Sequence, residues 1–374
     1  MKKLLAFIRK ELIQVRRDRR MLPIVIVAPI LQLLILGYAV SLDVRDIPVV
    51  VVDLDNSASS RDFLEAVFNS GCFVEVSRAG ALAEIDGYLD SGRAAVALVV
   101  PEGFERNLLA GKTTSFQGLI DGTDSQTATV GLNYLEMIAR NFNQKMILAR
   151  LERLGAGFSP VVIQSEVRVF FNPALISQNF LLPGVFGLLL MVMTVILTAM
   201  AVVKEYDLGT MEQLIVTPLR PLDIILGKLL PFFIIGTVDI FLIFAVTRFW
   251  FRLPLRGSFL LLLGLSFIYM LSTLGVGLFI STITRTPQQA MLTSFFFMIP
   301  MMLLSGFVFP IENMPRFFQW LTVIIPLRYF LVILRGIFLK GVGLAALYDE
   351  ALLLLLLAVM INLLSVSRFR RRLD

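Results

Sequence analysis

Four stretches of this 374-residue chain, 21–42, 180–203, 257–284 and 286–311, each run for more than twenty residues without one charged side chain. A bilayer core about 30 Å thick is crossed by roughly 20 apolar residues in an α-helix, and inside hydrocarbon every backbone N–H and C=O must be satisfied within that helix. Each stretch is therefore a predicted span. Residues 224–246 qualify if they tolerate Lys228 near one end and Asp239 near the other, and 351–367 form a short run closed by Arg368, Arg370, Arg371 and Arg372. Snorkelling side chains can anchor both. The expectation is an α-helical integral membrane protein with six transmembrane helices, placed at 21–42, 178–203, 223–247, 257–284, 286–310 and 350–367.

Composition agrees: 57% of residues are hydrophobic, 17% are charged, and the mean hydropathy is +0.82. The formal charge of +6 is unevenly spread. Residues 43–177 hold eleven Lys and Arg against seventeen Asp and Glu, a balance of −6, which leaves +12 for the rest. The basic excess thus travels with the spans, where it orients the chain beside anionic membrane lipid, and nucleic-acid binding is not implied. There is no histidine, and Cys72 is the single cysteine. Intrachain disulfides, Cys/His zinc sites and histidine-based catalysis are excluded on that ground, and no metal site is expected.

Sixteen basic residues fall in segments that are cytoplasmic if the amino terminus is inside, against seven in the short outer loops. The positive-inside rule then places both termini in the cytoplasm, the basic tail 368–374 included, and residues 43–177 outside. Ala39-Val40-Ser41 faintly resembles a signal-peptide cleavage site, but the uncharged run before it is longer than a signal core of about 7–15 residues, so an uncleaved anchor is expected. In residues 1–20, Leu5, Ile8, Leu12 and Val15 recur at spacings of three and four among Lys, Arg and Gln. That pattern predicts an amphipathic helix on the inner membrane surface, the alternative being a solvated basic tail.

Residues 43–177 have the length of one domain and read as α/β. Strands are expected at 47–53, 73–76, 94–100 and 115–121, helices at 60–70, 82–89 and 125–154, after which residues 166–171 return the chain to the membrane. Asp53-Leu54-Asp55-Asn56-Ser57 ends the first strand in a turn that can cap the next helix. Read as a calcium loop it lacks the required Gly and carboxylate, since Ala58 and Leu64 stand there. Gly111-Lys112-Thr113 likewise lacks the earlier Gly of a phosphate-binding loop, Arg106 taking its place. Cys72 is expected as a buried free thiol, with pairing between chains as the alternative.

The segment after the second span, 204–222, contains Lys204, Glu205, Tyr206, Asp207, Leu208, Gly209, Thr210, Met211, Glu212, Gln213 and Leu214, then Thr217-Pro218. Gly209 should break the chain direction, and Thr210 with Gln213 has capping-box spacing, so a short helix is expected to stop before Pro218. This segment resembles the Glu-x-Gly-Thr-x-Glu-x-Leu…Thr-Pro signature of type-2 ATP-binding cassette (ABC) transporter permeases. Leu303, Ser305-Gly306, Phe309-Pro310, Pro326-Leu327-Arg328-Tyr329-Phe330 and residues 335–341 extend the likeness. The chain is most similar to the multidrug-efflux-like branch, in which a large extracytoplasmic domain separates the first two spans.

The resemblance implies a half-transporter that dimerises with a second permease copy or near-identical partner and binds two separate ABC ATPase subunits. ATP and Mg belong to those subunits; this chain carries no cofactor and is not itself an enzyme. It also implies that residues 209–214 are the coupling element, with Glu205, Asp207, Gly209, Thr210, Glu212, Gln213 and Leu214 meeting the ATPase. Residues 311–326 become a re-entrant outer hairpin, within an outer segment 311–349, gated by Phe309, Pro310 and Pro326. Pro310, Pro315 and Pro326 interrupt an apolar stretch too short to cross, which independently requires protein-lined surroundings.

Phe186, Met191 and Met193 in the second span, and Phe295, Phe297, Met298, Met301 and Met302 in the fifth, where Phe296 also lies, are candidate pathway-lining side chains. Soft groups of this kind suit varied amphipathic cargo, and lipid-facing filler explains them equally well. Asp239 is expected to pair with Arg248 or Arg252, the alternative being a proton relay. The size and charge of the outer domain point to a periplasmic adaptor protein and outer-membrane duct as partners. The function read from the sequence is an exporter permease for hydrophobic or amphipathic compounds in the bacterial inner membrane. An ion-coupled carrier and a non-transporting scaffold are the alternatives.

Overall fold

The computed structural model describes residues 21–39, 46–153, 176–209 and 221–373, with 8, 9, 13, 44 and 170–172. Most of the expected amino-terminal helix and most of the expected return segment 166–171 lie outside the described residues. In chain order the elements are α1 (Met21–Ala39), β1 (Ile47–Asp53), α2 (Ala58–Phe68), β2 (Phe73–Arg78), α3 (Ile85–Asp90), β3 (Val96–Val100), α4 (Phe104–Leu109), β4 (Gln117–Ile120) and α5 (Ser125–Arg153). They continue as α6 (Ser177–Asp207), α7 (Pro221–Ala245), α8 (Phe259–Ile283), α9 (Pro287–Leu303), α10 (Arg316–Thr322), α11 (Pro326–Arg335) and α12 (Tyr348–Leu373). The chain divides into two compact units, Asp43–Val167 and the remainder.

In the first unit the strand order is β2-β1-β3-β4, with β1 parallel to both neighbours and β4 antiparallel to β3. The β-branched run of β1 is buried on both faces, as a central parallel strand requires. Val49 and Val51 pack with Phe63, Leu64 and Val67 of α2 and Leu135 and Ile138 of α5, while Val50 and Val52 meet Ala79, Ile85 and Ala97. Each of these valines is fully buried, worth about 1.5–3 kcal/mol apiece against exposure.

The turn after β1 is a hydrogen-bonded knot that leads into the next helix. Asp53 Oδ1 accepts from the N–H groups of Asp55 (3.1 Å) and Asn56 (3.0 Å), and Asn56 takes φ 49°. Ser57 and Ser60 form a reciprocal capping box, so α2 begins at Ala58, two residues before the expected start. Asp55 accepts from the N–H groups of Gly103 (2.7 Å), Phe104 (3.1 Å) and Glu105 (3.0 Å), which fastens the start of α4 to the end of β1. The short α4 is an element the sequence pattern did not announce. Cys72 is a free thiol, half-buried rather than buried.

In the second unit four described helices are long and apolar enough to cross a membrane: Ser177–Asp207, Ile225–Trp250, Phe259–Ile283 and Tyr348–Phe369. The pair Arg316–Thr322 and Pro326–Lys340 is bent by 81°, as a broken span or a re-entrant turn would be. The helix of the first expected span has 19 residues. That of the fifth, α9, has 17 and stops at Leu303, seven residues before the expected boundary. Ser305 returns its hydroxyl to the Met302 carbonyl (2.7 Å) and Gly306 takes φ 85°, which turns the chain. By contrast α12 outruns its expected end, continuing through the arginines of the basic tail to Leu373. Cations at a helix C-terminus are favoured by the helix dipole.

The central helix α6 packs closely on α8 because small and hydroxylated residues line the seam. A Cβ on Gly277 would stand 2.8 Å from the Val195 carbonyl oxygen. Thr194 Oγ1 donates to Thr273 Oγ1 (2.7 Å), and the Tyr269 hydroxyl donates to the Gly187 carbonyl (3.2 Å). On the other side of α8, Ser365 and Asn362 of α12 donate to the carbonyls of Gly275 (2.8 Å) and Leu271 (2.9 Å). Phe330 of α11 stacks on Tyr269 with ring centres 4.1 Å apart.

Candidate functional site

The loop at 204–222, expected to be cytoplasmic and to couple the chain to an ATPase, has described roots on both sides. The last turn of α6 carries Lys204, Glu205, Tyr206 and Asp207, so this part of the expected loop is helical. Gly209, at φ 68°, ends the helix, its N–H donating to the Tyr206 carbonyl (3.2 Å). A left-handed glycine just past the last turn is the usual helix stop, and the chain breaks where the sequence placed the break. Thr210, Glu212, Gln213 and Leu214 lie outside the described residues.

Asp207 is exposed, but Glu205 is not the outward-facing group expected. It is 5% exposed and forms an ion pair with Lys228 of α7, itself 3% exposed. Lys228 was expected to snorkel; it turns inward instead because a carboxylate is there to receive it. Val202 of α6, three residues before Glu205, and Ile225 of α7, three residues before Lys228, form a buried cluster with Leu278 of α8 and Phe369 of α12, and Tyr206 lies against Phe369 at 6.5 Å. The helix ends on both sides of the loop are thus fastened to one another and to the two helices behind them. The signal in the sequence was an acid one turn inside the end of one span and a cation at the start of the next, and both had been assigned other tasks.

The candidate pathway residues do not gather at one place. Phe186, Met191 and Met193 of α6 and Met298 of α9 are core residues of this chain. Phe297, Met301 and Met302 are half-buried, whereas Phe295 and Phe296 are exposed, Phe296 by 75%. A groove of about 460 Å³ between α7, α8 and α12, lined by Leu226, Leu229, Phe233, Leu274, Leu355 and Asn362 among others, contains none of them. Of the expected outer gate, Phe309 and Pro310 are exposed, and Pro326 is buried at the first turn of α11.

Asp239 is fully buried in α7, and neither carboxylate oxygen has a hydrogen-bond partner among the described residues. The expected pairing with Arg248 or Arg252 is absent. Arg248 lies nine residues on, in the π-helical turn Val246–Trp250 that continues α7. Arg248 donates to the Leu253 carbonyl (3.3 Å), and Arg252 lies beyond the helix at φ 55°. Arg335, for which no role was foreseen, lies over the Phe180 ring (3.8 Å) and reaches the Gly306 carbonyl (3.4 Å), tying α11 to α6 and to the turn after α9.

Several long apolar helices around one buried core, with an ion pair joining the helices on either side of the loop at 210–220, define a helical membrane protein. Residues 19–366 match the family described as ABC-2 family transporter protein. The chain belongs to that family. It is 34% identical over 369 residues to the probable multidrug ABC transporter permease YbhS of Escherichia coli strain K12, covering 98% of this chain and 96% of that protein. It is 30% identical over 370 residues to the probable multidrug ABC transporter permease YbhR of the same strain, covering 99% of both chains. The inner membrane transport permease YhhJ of that strain is 26% identical over 328 residues, covering 87% of this chain and 85% of the other.

Proposed function

We propose that this chain is the membrane-spanning permease subunit of an ATP-driven exporter that moves hydrophobic or amphipathic compounds, drugs among them, out of the cytoplasm or inner leaflet. The observation that carries the reading is membership of the ABC-2 family over nearly the whole length, together with relatives named as multidrug permeases at 30–34% identity. In this reading the chain sits in the bacterial inner membrane with six spans and both termini inside, the bent pair of α10 and α11 being the re-entrant outer hairpin. It works with a second permease copy and two ATPase subunits that bind ATP and Mg. Residues 207–214 face those subunits. The Asp43–Val167 unit lies outside, where it is free to meet a periplasmic adaptor and outer-membrane duct.

Affinity capture of the chain from native membranes is expected to bring down an ABC ATPase whose turnover rises with lipophilic compounds. Glu212→Lys should reduce that capture, because like charges brought together at an interface can cost several kcal/mol while an exposed reversal alone changes stability by about 0.5 kcal/mol. Capture without any ATPase would favour the ion-coupled carrier or the scaffold.

A further inference from the structure

We propose that the buried ion pair between Glu205 and Lys228 is a positioning clamp that holds the two roots of the cytoplasmic loop at a fixed separation, so that a displacement applied to the loop moves α6 and α7 as one body. This rests on the exporter reading for the source of the displacement, but the clamp itself is a property of this chain.

Three observations converge on it. The two charges stand on either side of the loop, Glu205 one turn before its start and Lys228 two turns into the helix that follows it. Both are almost wholly buried. Separating a buried ion pair costs more than separating one in water, which makes the closed arrangement stiffer than a surface ion pair. Apolar residues accompany the pair on both helices. Val202 lies three residues before Glu205 and Ile225 three residues before Lys228, so each shares a helix face with its charge, and both are in the cluster completed by Leu278 and Phe369. The clamp is thereby backed by α8 and α12. A loop pulled at its tip would otherwise spread its roots, and the motion would be spent there instead of reaching the spans.

The test uses spin labels at Leu208 and Leu226, exposed by 63% and 53% near the two roots, in full-length Cys72→Ser protein in lipid nanodiscs. Single substitutions of Glu205 or Lys228 unbalance a buried pair and can cost the fold, so the informative variant is the double replacement E205L/K228M, which removes both charges and keeps apolar volume. With labelled chains diluted in excess unlabelled protein, so that each dimer carries at most one labelled copy, the unaltered pair should give one narrow label distance, the same in the permease alone and in its ATPase complex trapped with ATP and vanadate. The double replacement should widen that distribution about twofold and shift it on trapping, and the inverted pair E205K/K228E should narrow it again. A double replacement as narrow as the starting protein, a root distance that changes on trapping with the pair intact, or an inverted pair that stays wide would each overturn the clamp. If no ATPase associates, the exporter reading fails, while the nucleotide-free width still decides the clamp.

Discussion

Asp55 shows how much one side chain can organise. Its carboxylate receives three backbone N–H groups at the start of α4, 48 to 50 residues away. The Ser57 hydroxyl, then the N–H groups of Glu105, Gly103 and Phe104, hold it below the usual carboxylate range. A depressed folded-state value means that its contribution is complete above the unfolded value of about 3.9 and is lost as pH falls through the lower folded value. Asp55→Ala should therefore cost about 1–2 kcal/mol at neutral pH, the range of a lost helix cap with a charged acceptor. Hydrogen exchange at amides 103–109 of the full-length protein should be faster in the variant at pH 7 and should converge with the unaltered protein in strong acid. Equal protection at pH 7 would refute the role. The acidic turn was legible as a turn because its residues are contiguous. What it holds was not, because α4 is too short to show a period and its anchor is distant in the chain. The pairing of Glu205 was hidden for the same reason: its charge is local information, whereas Lys228 and the nearby apolar cluster are not.

At the scale of elements, the helices were legible wherever charge was missing for twenty residues, since nothing else satisfies the backbone in hydrocarbon. Their ends were not, because ends depend on partners. The arginines after Ser367 did not stop α12, and Ser305 and Gly306 stopped α9 in a run with no charge at all. Packing between spans was also hidden, for it rests on small residues that hydropathy ignores. The seam of α6 with α8 makes this testable. Gly277→Leu would put a Cβ 2.8 Å from the Val195 carbonyl oxygen and 2.9 Å from Thr198 Cβ, with no flexible side-chain end to give way. Overpacking of this kind costs about 1–3 kcal/mol. The variant should melt lower in lipid nanodiscs, while Gly264→Leu, on the same helix with nothing within 4 Å of the added Cβ, should melt like the unaltered protein. Equal melting of the two variants would mean that the close approach does not stabilise the pair.

At the scale of the whole molecule, the division into two units was legible from charge before any element was placed. The acidic stretch 43–177 contains the observed unit Asp43–Val167, and the basic excess stays with the spans. That asymmetry also makes a claim about membrane sides. Lys and Arg flanking spans are retained on the cytoplasmic side, near anionic lipid, at about 1 kcal/mol for each basic group close to the surface. Sixteen such residues against seven favour the loop at Leu208 inside and the acidic unit outside. Cys72 is a poor reporter, being half-buried with its thiol 3.7 Å from the Ser70 carbonyl oxygen. In a Cys72→Ser background, Ser91→Cys lies at an exposed turn of the acidic unit and Leu208→Cys at a position 63% exposed beside the coupling loop. A membrane-impermeant maleimide added to intact spheroplasts should label the first and spare the second until the membrane is opened by detergent. The reverse pattern would invert the topology and place the loop where no ATP is available. Labelling of both before detergent would put the two positions on one side, which an odd number of crossings between them forbids.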